Sequence, residues 1–134
     1  MGAKILLVIS ALYTLLITYL SLVQLGKISL GGFNPTDKMM HLGAYFGLGF
    51  LWFVYYIFKK PEEQYKNQHF FNIALLIIVF GMLIEVLQGA LTAYRDPDWA
   101  DILANSIGVL IALGICLGFL KFFMRLKHQI NSFL

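Results

Sequence analysis

The chain has 134 residues, of which 60% are hydrophobic and 13% charged, with a formal net charge of +3 and a mean hydropathy of +0.78. Soluble domains carry about 25% charged and about 45–50% apolar residues, so a bilayer is the expected solvent, and the length supports one domain at most. A pI near 9.0 in so apolar a chain points to basic loop edges against anionic lipid headgroups, with no nucleic acid partner.

Four apolar stretches, Ile5–Leu25, Met39–Phe58, Phe70–Leu91 and Ile102–Phe123, each reach the roughly 20 residues that cross about 30 Å of hydrocarbon. With their flanking start and stop signals they predict helices over about 5–25, 35–58, 70–92 and 97–125. The expected fold is all-α: an integral-membrane, antiparallel four-transmembrane-helix bundle, with residues 1–134 as a single transmembrane domain.

The first stretch is longer than a signal-peptide core and no small-x-small cleavage site follows it, so it reads as a retained helix. Its hydroxyls, Ser10, Thr14 and Thr18, lie on one face that suits packing. Asn34-Pro35 offers a capping side chain and a proline at the first helical position for the second helix. Asp37, His41 and Tyr45 then recur every four residues, and Gly43-x-x-x-Gly47 allows close helix approach.

The connection Lys59–His69 is charged, and the third helix is apolar until Glu85 and Gln88 near its end. Asp96-Pro97 repeats the cap-and-proline start for the fourth helix, whose Asp98, Asp101, Asn105 and Gly108 share one face. Gly114-x-x-x-Gly118 is a second small-residue pair, and an oligomer is compatible with either. Cys116 lies inside the last apolar stretch, which leaves no disulfide framework and no cysteine metal motif.

Four crossings put Lys4, Lys59, Lys60, Lys66, Lys121, Arg125 and Lys127 on one side and only Lys27, Lys38 and Arg95 on the other. The positive-inside rule then predicts both termini in the cytoplasm, with Asn34 and Asp96 outside. At about 1.5 Å per residue, His41, Glu85, Gln88, Asp101 and Asn105 all fall within roughly 6 to 12 Å of the outer helix ends. A carboxylate at mid-membrane costs about 2.5–3.5 kcal/mol on insertion scales, so these stripes are expected to face one another. Helices three and four, joined by a short connection, form a hairpin in which Glu85 and Asp101 become neighbours.

Each group also has a plainer reading. Asp37 and Lys38 suit a first helical turn, Lys38 and Arg95 suit snorkelling to the interface, and Glu85 with Gln88 suits interhelical hydrogen bonding. Ionisable Glu85 is an expensive choice for that last task. His41 at the depth of an acid on each neighbouring helix is the residue hardest to explain by packing.

Asp37-Lys38-x-x-His41 with Tyr45, Glu85-x-x-Gln88, and Arg95-x-x-Asp98-x-x-Asp101-x-x-x-Asn105-x-x-Gly108 together resemble the VanZ-like family of bacterial membrane proteins over residues 37–118. The resemblance implies a multi-pass protein of the bacterial cytoplasmic membrane with a cell-envelope role. Through the protein that gives the family its name, it also implies a link to teicoplanin resistance.

Three functions fit these residues. The first is a site for a lipid-linked envelope precursor or lipoglycopeptide, either enzymatic or binding only. There Lys38 and Arg95 hold an anionic headgroup, His41, Glu85 and Asp101 supply acid, base or metal-ligand chemistry, and Asp37, Tyr45, Gln88, Asp98 and Asn105 line the pocket. The second is a proton- or cation-coupled carrier using the same acids. The third is a non-catalytic interaction subunit. No cofactor motif is present: neither a phosphate-cradling glycine loop, nor a nucleophile elbow, nor a paired-histidine zinc motif. Membrane lipids are the expected general partners.

Overall fold

A computed structural model describes residues 2–23, 36–91 and 98–133. Among them the chain is helical: α1 (Gly2–Leu22), α2 (Asp37–Lys59), α3 (Asn67–Leu91), α4 (Trp99–Gly118) and α5 (Leu120–Phe133), with a single 3-10 turn at Glu62–Gln64. The first four are long and apolar enough to cross a membrane.

Burial is inverted relative to a water-soluble protein. Leu15, Leu76 and Leu91 are 65–70% exposed, while Glu85, Gln88, Asp101 and Asn105 are all at 2% or less. Apolar side chains facing outward and ionisable ones facing inward make sense only where the surroundings are hydrocarbon. The protein is a four-helix membrane bundle.

Two starts differ from the sequence reading. α2 begins at Asp37 behind an extended Thr36, whose hydroxyl accepts from the Met39 N–H at 3.3 Å. α4 begins at Trp99 behind an extended Asp98, whose carboxylate accepts from the Ala100 N–H at 2.8 Å. Thr36 and Asp98 therefore cap these helices in place of Asn34 and Asp96, which lie outside the described residues with Pro35, Pro97 and Arg95. A side-chain oxygen caps by reaching the N–H two or three residues ahead, and from Thr36 and Asp98 that reach lands on the first turn.

The far end also differs. α2 stops where Pro61 forces Lys60 into an extended conformation, with φ −95° and ψ 142°. The fourth helix, expected to run to about residue 125, breaks at Phe119 behind Gly118, the weaker helix former. Beyond the break, α5 is amphipathic: Phe123 and Lys127 are buried while Lys121 and Arg125 are exposed.

The core is the α2–α4 contact, the most extensive in the bundle. Gly108 sets its closeness, since a Cβ there would lie 2.3 Å from the Leu42 carbonyl oxygen and 2.8 Å from the Phe46 nitrogen. Gly49 meets Ala112 and Val109 one turn further on. The small-residue pairs read from sequence act elsewhere: a Cβ on Gly43, Gly114 or Gly118 would meet no other helix within 4 Å, and Gly47 receives the Tyr13 ring. Below the crossing, Phe53, Ile57, Phe70 and Cys116 are fully buried.

α1 hangs on this core through aromatic side chains. Tyr13 donates to the Ala44 carbonyl, and the Trp52 indole donates to the Thr14 hydroxyl at 3.1 Å. Ser10, Thr14 and Thr18 each return their own hydroxyl hydrogen to the carbonyl four residues back, so the stripe is satisfied within the helix.

Candidate functional site

Antiparallel packing brings the start of α2, the end of α3 and the start of α4 to the same end of the bundle. Lys38 Nζ donates to Asp98 Oδ2 and, at 2.5 Å, to Asp101 Oδ1, tying the first turns of α2 and α4. Lys38 and Asp98 are each a little over 40% exposed, whereas the Asp101 side chain is at 2%. The bridge therefore runs from the rim of the bundle into its interior.

One turn below, His41 is buried. Its Nδ1 lies 3.1 Å from Asn105 Oδ1. An amide oxygen only accepts, so this contact requires the proton on Nδ1. Nε2 then faces Asp37 Oδ1 at 3.8 Å and Asp101 Oδ2 at 3.7 Å. The ligand atoms of Asp37, His41 and Asp101 lie within 4.8 Å of one another. Oxygen and nitrogen acceptors gathered at this separation are too far apart to share a proton directly and suit a bridging water or a cation.

Glu85 joins the network through backbone. Its Oε1 accepts from the Asp98 N–H at 2.9 Å, so the acid on α3 holds the residue that caps α4 and carries one arm of the Lys38 bridge. Glu85 Oε2 has no hydrogen-bond partner among the described residues and is fully buried. Beside it, Tyr45 is 1% exposed, its ring seated where a Cβ on Gly81 would be 2.8 Å away, and its hydroxyl also lacks a partner among the described residues. Gln88 Nε2 donates to the Ser21 carbonyl at 2.7 Å and so ties α3 to α1.

Of the residues singled out from sequence, Asp37, Lys38, His41, Asp98, Asp101 and Asn105 form one contiguous set across α2 and α4. Glu85 touches that set at Asp98, while Gln88 turns to the Ser21 carbonyl of α1. Arg95 lies outside the described residues. The sequence argument made the α3–α4 hairpin the heart of the site. The principal seam is α2–α4, because Gly108 lets those two backbones approach more closely.

Sequence reasoning missed a second polar knot at the opposite end. Lys127 of α5 is 8% exposed and donates to the carbonyls of Ile57 and Lys60 and to the Tyr65 hydroxyl. Tyr65 in turn donates to the Ile57 carbonyl. The ammonium closes the last carbonyls of α2, a common use of lysine at a helix C-terminus. Burial lowers the Lys127 pKa, and Glu62 and Glu63 nearby oppose that shift. The one available signal was Lys127 standing four residues after Phe123 on the inner face of an otherwise basic helix.

The fold and the site together define a small polytopic helical membrane protein with a compact ionisable cluster at one end. The sequence pattern of the VanZ/LLP1 family matches residues 5–123, and the chain belongs to that family. The match reaches through α1, beyond the 37–118 that carried the resemblance. No curated protein and no solved structure shows significant similarity to the chain.

Proposed function

We propose that this VanZ-type protein binds the polar headgroup of a lipid-linked or otherwise anionic cell-envelope compound at the end where α2 and α4 begin. We further propose that this end faces outward from a bacterial cytoplasmic membrane, with both termini in the cytoplasm. The observation that carries the reading is the Lys38 ammonium, held at the rim by Asp98 and the buried Asp101. An anionic group entering from the membrane surface meets a cation already oriented and shares its ammonium with Asp98 Oδ2, while Asp98 Oδ1 keeps the cap of α4. In this reading His41 and Asp101 beneath it exchange protons with the bound group. Arg95, three residues before the cap of α4 in sequence, would add a second cation.

A link to teicoplanin resistance follows from the same reading, since a protein that holds an envelope compound at the outer surface changes what the drug meets there. Retention of lipid extracts by the purified protein tests it. Anionic envelope lipids should be enriched on the native chain and lost on Lys38→Met, and an unchanged lipid profile would overturn the headgroup reading. Teicoplanin sensitivity of cells with and without the protein tests the resistance link separately.

A second reading, proton or cation coupling, is favoured by one observation: the ligand atoms of Asp37, His41 and Asp101 lie within 4.8 Å of one another. Flux in proteoliposomes distinguishes it. Proton or cation movement that depends on Asp101 supports coupling, and an electrically silent vesicle removes it.

A further inference from the structure

At the end of the bundle away from the ionisable cluster, a lateral groove of about 380 Å³ opens between α1, α2 and α3. That volume lies within the roughly 300–1,000 Å³ of small-molecule sites. Thr14 supplies the α1 side, Leu48 and Trp52 the α2 side, and Ile77 and Phe80 the α3 side, with Lys59 and Lys60 at the mouth. From Lys59 to Leu48 the groove follows α2 for about 16 Å at 1.5 Å per residue, close to the about 15 Å of one leaflet of a 30 Å hydrocarbon core.

The charges at the mouth separate this groove from an ordinary lipid-facing crevice. Lysines at a helix C-terminus commonly serve its last carbonyls, but here Lys127 already occupies the carbonyls of Ile57 and Lys60. Among the described residues, neither Lys59 nor Lys60 forms an ion pair; the nearby acid Glu62 is engaged by His128 at 2.7 Å. The Lys59 ammonium sits 5.4 Å from the Tyr55 ring centroid, an arrangement that fixes it beside the opening. Two cations without acidic partners thus stand at the top of an apolar slot one leaflet deep.

The geometry points to a bound anionic phospholipid: one acyl chain lies along Trp52, Ile77 and Phe80, and the phosphate is held by Lys59 and Lys60. The site is separate from the ionisable cluster and stands whether or not that cluster binds an envelope compound.

Trp52 lines the groove and reports on it directly. The full-length protein carrying Trp99→Phe, so that Trp52 is its sole tryptophan, is placed in phosphatidylcholine nanodiscs. Phosphatidylglycerol with acyl chains brominated at mid-length is then titrated in. Quenching of Trp52 should saturate at a low mole fraction, at about one lipid per protein. Brominated phosphatidylcholine at the same mole fractions should quench only in proportion to its bulk amount. Adding Lys59→Ala with Lys60→Ala should weaken the phosphatidylglycerol response at least fivefold. Leu76→Trp cannot serve in this assay, so native mass spectrometry reads it instead: filling the groove from its rim should remove the retained phosphatidylglycerol adduct. Quenching by phosphatidylglycerol that rises linearly with bulk composition, or equal quenching by both lipids, would overturn the proposal without reference to any groove variant.

Discussion

Lys38 reaches across from the first turn of α2 to lie 2.5 Å from Asp101 in the first turn of α4, and this contact places a buried carboxylate under a half-exposed ammonium. Removing the lysine leaves Asp101 without its cation in a protein interior. Lys38→Met is therefore expected to lower stability by about 1–3 kcal/mol, the usual cost of orphaning a buried polar partner. Asp101→Asn combined with Lys38→Met should recover much of that loss. Thermal unfolding in detergent over the full double-mutant cycle measures the coupling; additive effects would show that the contact contributes nothing.

Gly108 makes a sharper stability test. A methyl group there collides with the Leu42 carbonyl, which is backbone and cannot swing aside. Gly108→Ala should cost about 1–3 kcal/mol, in the range of overpacked cores. Gly114→Ala, on the open side of the same helix where the added methyl meets nothing within 4 Å, should stay within about 0.5 kcal/mol. Equal melting temperatures for the two variants would mean that α2 and α4 do not cross at Gly108.

Glu85→Gln separates charge from hydrogen bonding. The amide oxygen still accepts from the Asp98 N–H, so the cap of α4 and the helical fold should survive. If the ionised carboxylate matters to the site, capture of envelope lipid should fall while circular dichroism and melting stay near native. A variant with native fold and undiminished function would reduce Glu85 to a structural hydrogen-bond acceptor.

The opposite end predicts a pH effect. Burial, with a smaller contribution from the Glu62 charge, pushes the Tyr65 phenol from 10.0 up to about 12. Between those values the unfolded chain loses the phenolic proton and the folded chain keeps it, so stability falls as pH rises through this window. Lys127 acts with the other sign: its lowered pKa means the unfolded chain holds more protons, and its contribution rises toward alkaline pH. Tyr65→Phe should cost about 1 kcal/mol at neutral pH through its lost hydrogen bonds and should flatten the alkaline decline. A decline of unchanged steepness in Tyr65→Phe would assign it to other groups.

Topology is open to direct measurement in the Cys116→Ser background. A cysteine at Thr36 should react with an impermeant thiol reagent added outside intact cells, and one at Glu63 only after permeabilisation. Thr36 and Glu63 are both exposed. The reverse pattern would turn the ionisable cluster toward the cytoplasm and remove the reading of an outward-facing site.

The sequence by itself determined that the protein lives in a bilayer, how many of its helices are long and apolar enough to cross it, and on which helix each ionisable residue lies. Those properties are one-dimensional: run length, charge placement and the spacing of polar residues along each helix follow from the hydrocarbon thickness and the helical rise. Of the three residues expected to meet, His41 lies 3.7 Å from Asp101, while Glu85 meets the start of α4 at the Asp98 N–H. Tertiary structure alone decided how they converge. Gly108 resembles the other helix glycines until the neighbouring backbone is known, yet it selects α2–α4 as the tight seam over the α3–α4 hairpin. Through that seam it sets Lys38, and not an α3 side chain, against Asp101. The same holds at the other end, where Lys127 reads as one more basic interfacial residue. Only the break at Phe119, which lets α5 turn its inner face to the bundle, brings its ammonium onto the last carbonyls of α2.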